Sequence, residues 1–227
     1  MIKAVIFDLD HTLFDRYATL KEISKCIRDY LPVNKALNDQ EIAEIMITAD
    51  KEKILYGWEA VEEYVTKSTN LFCQPIEKDS YFNFILDRFF YTAVPFPFTI
   101  PMLDELKNMG LKVGLITNGR EGLQEKKLEM LGLNDMFDFV LVSGKYNCPK
   151  PSLKPFKMMS EWLNLPANQM MYVGDHPLND VDSSRKAGYI PVFVNTAGRW
   201  GMPEIERCEH SVETVADIPD LVKKLNK

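Results

Sequence analysis

Two aspartates near the start of the chain, Asp8 and Asp10, stand two residues apart just beyond the apolar run Lys3-Ala4-Val5-Ile6-Phe7. On extended backbone, side chains at that spacing lean the same way, so the pair is expected to share one charged target, and a divalent cation suits two carboxylates. Other groups capable of chemistry recur downstream. Ile116 is followed by Thr117-Asn118-Gly119, a hydroxyl, an amide and a glycine expected at the start of a helix, where open backbone N–H groups favour an anion. Lys150-Pro151 lies in a loop beyond Val142-Ser143-Gly144, and Gly174-Asp175-His176-Pro177-Leu178-Asn179-Asp180 sets two more carboxylates after Val173. Taken singly, Thr117 reads as an N-cap, Lys150 as a solvated loop charge, and Asp175 or Asp180 as a helix cap. Their joint occurrence is what matters: successive strand ends carry Asp/Asp, Thr, Lys and Asp/Asp.

These groups need a scaffold that brings strand ends together. The first run is rich in β-branched and aromatic residues without polar alternation, the signature of a buried parallel strand. From about Tyr17 to Tyr91 strand-like runs disappear, and four helical stripes follow one another. Leu20, Ile23, Ile27, Tyr30 and Leu31 give the first, stopped by Pro32. Asn38 with Glu41 three residues later forms a capping-box signal for the second, through Ile42, Ile45, Met46 and Ala49. Trp58, Val61, Tyr64, Val65 and Leu71 give the third, and Tyr81, Phe84, Ile85, Arg88 and Phe89 the fourth, so a small bundle with an aromatic core is expected. The proline-punctuated stretch Val94–Pro101 leads back to strands near 112–116, 140–142, 170–173 and 190–194, alternating with helices near 102–109, 121–131, 153–163, 181–187 and 215–225. The expected fold class is α/β, a Rossmann-like parallel sheet core made of 1–15 and 95–227, with a helical bundle, 16–94, inserted after the first strand.

Composition narrows the function. A net charge of −6 and a pI near 5.2 supply no basic field, so nucleic acid is not expected as a partner. Cys26, Cys73, Cys148 and Cys208 form no CxxC pair, and His11, His176 and His210 lack zinc-ligand spacing. Free thiols in a reducing cytoplasm are the expectation. With neither a signal-peptide pattern nor an apolar run of ~20 residues, no membrane association is expected.

In this order and spacing, DLDHTL (Asp8–Leu13), ITNG (Ile116–Gly119), the Lys150-Pro151 lysine and GDHPLND (Gly174–Asp180) resemble the haloacid dehalogenase superfamily of phosphohydrolases over nearly the whole chain. The resemblance implies an HAD-like core with the helical block as cap. It implies Asp8 as nucleophile and Asp10 as general acid and base. Mg²⁺ would be held by Asp8, Asp175 and the backbone carbonyl of Asp10, with Asp180 orienting a metal-bound water or Lys150. Thr117, the Asn118 backbone N–H and Lys150 would hold the phosphoryl oxygens of a small-molecule phosphate ester. Ile116-Thr117-Asn118-Gly119 with Leu123-Gln124 and Lys127-Leu128 is similar to the nucleotidase and N-acylneuraminate-phosphatase-like branch, which implies a nucleoside monophosphate or sugar phosphate as substrate. Ser152 stands where many relatives have an aspartate, and Lys145 and Lys154 are the alternatives to Lys150. A dehalogenase would not need Asp10; a phosphomutase would share every core residue; a phospho-receiver module would lack both the helical insertion and the second carboxylate of the first pair. Oligomeric state has no signature in the sequence.

Overall fold

The fold is that of a computed structural model, which describes residues 1–196 and 200–227 apart from the side chain of Phe90. The chain runs through β1 (Ala4–Phe7), a short β2 (Phe14–Asp15), helices α1 (Arg16–Ser24), α2 (Asp39–Lys53), α3 (Trp58–Lys67) and α4 (Ser80–Thr92), and a short β3 (Val94–Pro95). It then alternates α5 (Thr99–Asn108), β4 (Lys112–Thr117), α6 (Leu123–Met130), β5 (Phe139–Val142), α7 (Ser143–Tyr146), α8 (Lys154–Leu163), β6 (Met170–Gly174), α9 (Ser183–Lys186), β7 (Ile190–Val194), β8 (His210–Val212) and α10 (Ile218–Leu225). Two compact units result, Met1–Phe14 with Pro95–Lys227, and Asp15–Val94. Among the described residues no helix is long and apolar enough to cross a membrane.

The α/β unit is built on a six-stranded sheet in the order β5-β4-β1-β6-β7-β8, parallel throughout. β1 lies inside it with all four residues buried, which explains its unbroken apolar sequence. Parallel neighbours need long crossovers, which contain helices at every step up to β7. Register then decides where chemistry can sit. Phe7 is level with Leu115 on one side and Val173 on the other, and Thr117 is level with Val142. Asp8, Thr117 and Asp175 therefore emerge at the same carboxyl-terminal rim of the sheet, where open α/β sheets bind ligands.

One face of the sheet packs Ile6, Ile116, Leu141 and Tyr172 against Phe156 and Met159 of α8. The close fit requires a glycine on β4: a Cβ at Gly114 would lie 2.8 Å from Ile6 Cδ1 and 3.2 Å from Met159 Sδ. The structure adds the edge strand β8, whose His210-Ser211-Val212 is too short and polar to read as a strand and which is held by its backbone pairing with β7.

In the helical unit, α2 begins at the expected capping box: Asn38 Oδ1 accepts the Glu41 N–H, and Glu41 Oε2 accepts the Asn38 N–H. The first stripe becomes α1 and a short 3-10 turn, Ile27–Asp29, with Ile27 buried and Tyr30 exposed. The bundle core carries a buried ion pair, Arg16 Nη2 to Asp50 Oδ1 at 2.7 Å, with the guanidinium 4.8 Å from the Trp58 ring and 5.0 Å from the Phe89 ring.

Candidate active site

Every side chain of the candidate site belongs to the α/β unit. Asp8 follows the last residue of β1, its N–H donating to Val173 O at 2.9 Å, which anchors the nucleophile candidate to the neighbouring strand. Beyond it the backbone turns, and His11 takes φ +70°. The extended chain ends before Asp10, and the two side chains part. The two carboxylates bind different ammonium groups: Lys150 Nζ is 2.6 Å from Asp8 Oδ1, and Lys127 Nζ is 2.7 Å from Asp10 Oδ1.

Lys150 is the focus of the buried half of the site. Its Nζ donates to Asp8 Oδ1 at 2.6 Å, Asp180 Oδ1 at 2.6 Å and Tyr172 OH at 2.8 Å, one acceptor for each of its three N–H bonds. Burial alone would strip the proton, but the Asp180 and Asp8 carboxylates hold this ammonium well above the usual lysine range. For Asp8 burial dominates and pushes its carboxyl up to about 7; Lys150 opposes this, while Asp180 and Asp10 add to it. The lysine's own backbone is gripped by the second motif: Asn118 Nδ2 donates to Lys150 O at 2.9 Å, and Asn118 Oδ1 accepts the Lys150 N–H at 2.8 Å. Lys145 and Lys154 turn elsewhere, to Glu121 and to the Tyr146 carbonyl.

The last motif closes the cluster. Oxygens of Asp8, Asp175 and Asp180 lie within 4.8 Å of one another, and Asp180 also holds the Lys150 ammonium, one of the two roles expected of it. Its other oxygen accepts the His176 N–H at 2.9 Å, fixing the loop. His176 caps the π-helical turn Pro177–Asp182 through Nδ1, which accepts from Leu178 and Asn179. Gly174 is required because a Cβ there would come within 2.6 Å of three Asp180 atoms.

The second motif is placed differently from expectation. α6 starts only at Leu123, with Arg120 exposed and Gly122 at φ +79° in between, so Thr117-Asn118-Gly119 is not a helix N-terminus. What α6 contributes instead is side chains that motif reading left without a role, Gln124 and Lys127, both about 5% exposed. Gln124 Nε2 lies 2.6 Å from Thr117 Oγ1, 3.0 Å from Asp10 Oδ2 and 3.0 Å from Asn118 O. A signal was available: Gln124, Lys127, Leu128 and Leu131 share the helix stripe that should face the core, and two of the four are polar. Tyr172 was likewise hidden inside an apolar strand.

The family described as haloacid dehalogenase-like hydrolase matches residues 5–194. The chain belongs to this family. It is 28% identical to a glyceraldehyde 3-phosphate phosphatase of Methanocaldococcus jannaschii, over the whole of both chains. It is 29% identical to a phosphoglycolate phosphatase of Neisseria gonorrhoeae, over 85% of this chain and 80% of the relative. The L-2-haloacid dehalogenase of Xanthobacter autotrophicus shares its fold at a TM-score of 0.71, covering 98% of this chain and 99% of that one at 18% identity. This member of the haloacid dehalogenase-like hydrolases is accordingly an α/β enzyme with a parallel Rossmann-like sheet.

Proposed function

We propose that the chain is a Mg²⁺-dependent phosphatase that hydrolyses small phosphate monoesters through a covalent phosphate on Asp8. The observation that carries this reading is one cluster in which the buried Lys150 bridges the buried Asp8 and Asp180 while Asp8, the half-buried Asp175 and Asp180 converge to within 4.8 Å. An all-carboxylate donor set fits a hard cation such as Mg²⁺. Asp8, Asp175 and the Asp10 carbonyl would hold the ion, with Asp180 beside them. Bound there, Mg²⁺ would offset the repulsion between a carboxylate nucleophile and a phosphate dianion.

An Asp8 oxygen bonds to phosphorus as the ester P–O bond breaks, and Asp10 gives its proton to the departing oxygen. A water then attacks the aspartyl phosphate and yields its proton to Asp10; the bond to Asp8 breaks, and inorganic phosphate leaves. Thr117, the Asn118 N–H and Lys150 hold the phosphoryl oxygens as charge shifts. Since all three Lys150 donors are engaged, Lys150 reaches the phosphoryl group by exchanging its Asp8 contact for a phosphoryl oxygen.

The helical unit, 16–94, serves as the cap that selects substrate. Relatives named for glyceraldehyde 3-phosphate and phosphoglycolate support short phosphate esters as the substrate class, ahead of the nucleotides and sugar phosphates that the second motif suggested. The four free cysteines support a reducing cytoplasm as the place of action. Against a dehalogenase, the chain carries Asp10 and has relatives named phosphatases over its full length. Phosphate release from a panel of two- and three-carbon phosphates, sugar phosphates and nucleotides decides the matter. Activity with Mg²⁺ on the short esters is expected, falling to background with a chelator or in Asp8→Asn. Undiminished activity in either case overturns the mechanism.

A further inference from the structure

Asp10 is held by two side chains that the mechanism above does not use. Lys127 Nζ lies 2.7 Å from Asp10 Oδ1, with its side chain 6% exposed against 27% for Asp10, and it sits 5.3 Å from the centre of the Phe14 ring. The buried ammonium thus meets the Asp10 carboxylate and the Phe14 ring together. Gln124 holds the other carboxylate oxygen, Oδ2, at 3.0 Å. Its amide orientation follows from its partners: the terminal atom faces Asp10 Oδ2, Thr117 Oγ1 and the Asn118 carbonyl, and because the carbonyl can only accept, that atom is the NH₂. The glycine of the second motif follows from the same packing, because a Cβ at Gly119 would lie 2.6 Å from Gln124 Cγ.

We infer that Gln124 and Lys127 are positioning residues of the hydrolysis, a two-armed clamp on α6 that fixes the Asp10 carboxyl for proton delivery and aims the Thr117 hydroxyl. Each arm has its own consequence. Lys127 and Gln124 take one Asp10 oxygen each, so the carboxyl plane cannot swing freely between leaving group and water. By donating to Thr117 Oγ1 at 2.6 Å, Gln124 occupies one of its acceptor positions and leaves the hydroxyl proton to be given elsewhere, which is what a phosphoryl oxygen requires. One amide thus links the proton carrier to a phosphate holder, 114 and seven residues away in sequence.

The inference rests on the phosphatase reading, and leaving-group dependence separates the two. A nitrophenolate departs without a proton, whereas an alkoxide needs one, so loss of Asp10 positioning should weigh on alkyl esters. The measurement is kcat/KM with Mg²⁺ for p-nitrophenyl phosphate and for glyceraldehyde 3-phosphate, in wild type, Lys127→Met, Lys127→Arg and Gln124→Met. Removing a group that orients a reacting residue typically costs about 10- to 100-fold. Lys127→Met is expected to lose about that much on the alkyl ester and less than about 3-fold on the aryl ester, with Lys127→Arg restoring the alkyl rate at least in part; Gln124→Met, which also frees Thr117, is expected to slow both esters, the alkyl ester by clearly more. Equal losses on both esters in correctly folded Lys127→Met and Gln124→Met, checked by thermal melting, overturn the clamp and leave the phosphatase reading standing. Should Lys127→Met not fold, Gln124→Met and Lys127→Arg carry the same comparison. A wild type that releases no phosphate from either ester overturns both.

Discussion

At the scale of single residues, the active site is a problem in keeping carboxylates apart and charged to different degrees. Asp8 is buried and held at about 7, against an ordinary 3.8, whereas the Lys150 ammonium beside it stays protonated. The consequence for stability has a definite sign. Between pH 3.8 and about 7 the folded protein keeps a proton on Asp8 that the unfolded chain has released. The stability this carboxyl contributes is therefore complete below the lower value and is lost as pH rises through the upper one. Melting temperatures measured in chelator should fall across that window, and the fall should be smaller in Asp8→Asn; an equal fall in the variant would place the titrating group elsewhere. Residue by residue, sequence order identified which side chains meet, because strand ends of a parallel sheet share a rim. It did not identify how they pair. Asp8 and Asp10 look alike in the string DLD, yet the turn at His11 sends their carboxylates to Lys150 and Lys127.

At the scale of elements, apolar periodicity was enough to outline β1, β4, β6 and β7 and the helices between them, since burial imposes the pattern directly. It failed where backbone pairing or a special turn supplies the reason. β8 has no apolar run and exists through its ladder to β7, while Gly122 delays α6 to Leu123. Gln124 and Lys127 face inward with Leu128 and Leu131, on the one stripe of α6 that is buried. Within the apolar core a close approach between elements is at Gly114, where β4 meets Ile6 and Met159. Gly114→Ala adds one methyl into space already filled and is expected to destabilise by about 1–3 kcal/mol, as overpacked cores do. A urea midpoint lowered accordingly, with kcat of the folded protein near that of wild type, would match this; an unchanged midpoint would show that α8 yields at no cost.

At the scale of the molecule, two compact units differ in what holds them. The α/β unit relies on sheet and apolar core, whereas the helical unit buries an ion pair, Arg16 with Asp50, between aromatic rings. Breaking such a pair from one side leaves a buried charge uncompensated, at a cost of about 3–5 kcal/mol. Asp50→Ala should therefore lower the unfolding transition seen by Trp58, which lies in that unit, in a chain where Trp162 and Trp200 are replaced by Phe. A transition unmoved by Asp50→Ala would mean that the rings alone keep Arg16. The helical unit is made from one unbroken stretch, Asp15–Val94, but the sheet is not. Ala4 lies level with Lys112 on one side and Met170 on the other, so β1, first of the sheet strands in chain order, is completed only by partners far downstream. Contacts so distant in sequence form late, after nearby ones. A half-folded chain thus carries Asp8 at the end of its first strand but gains Lys150, Asp175 and Asp180 beside it only once the downstream strands have docked.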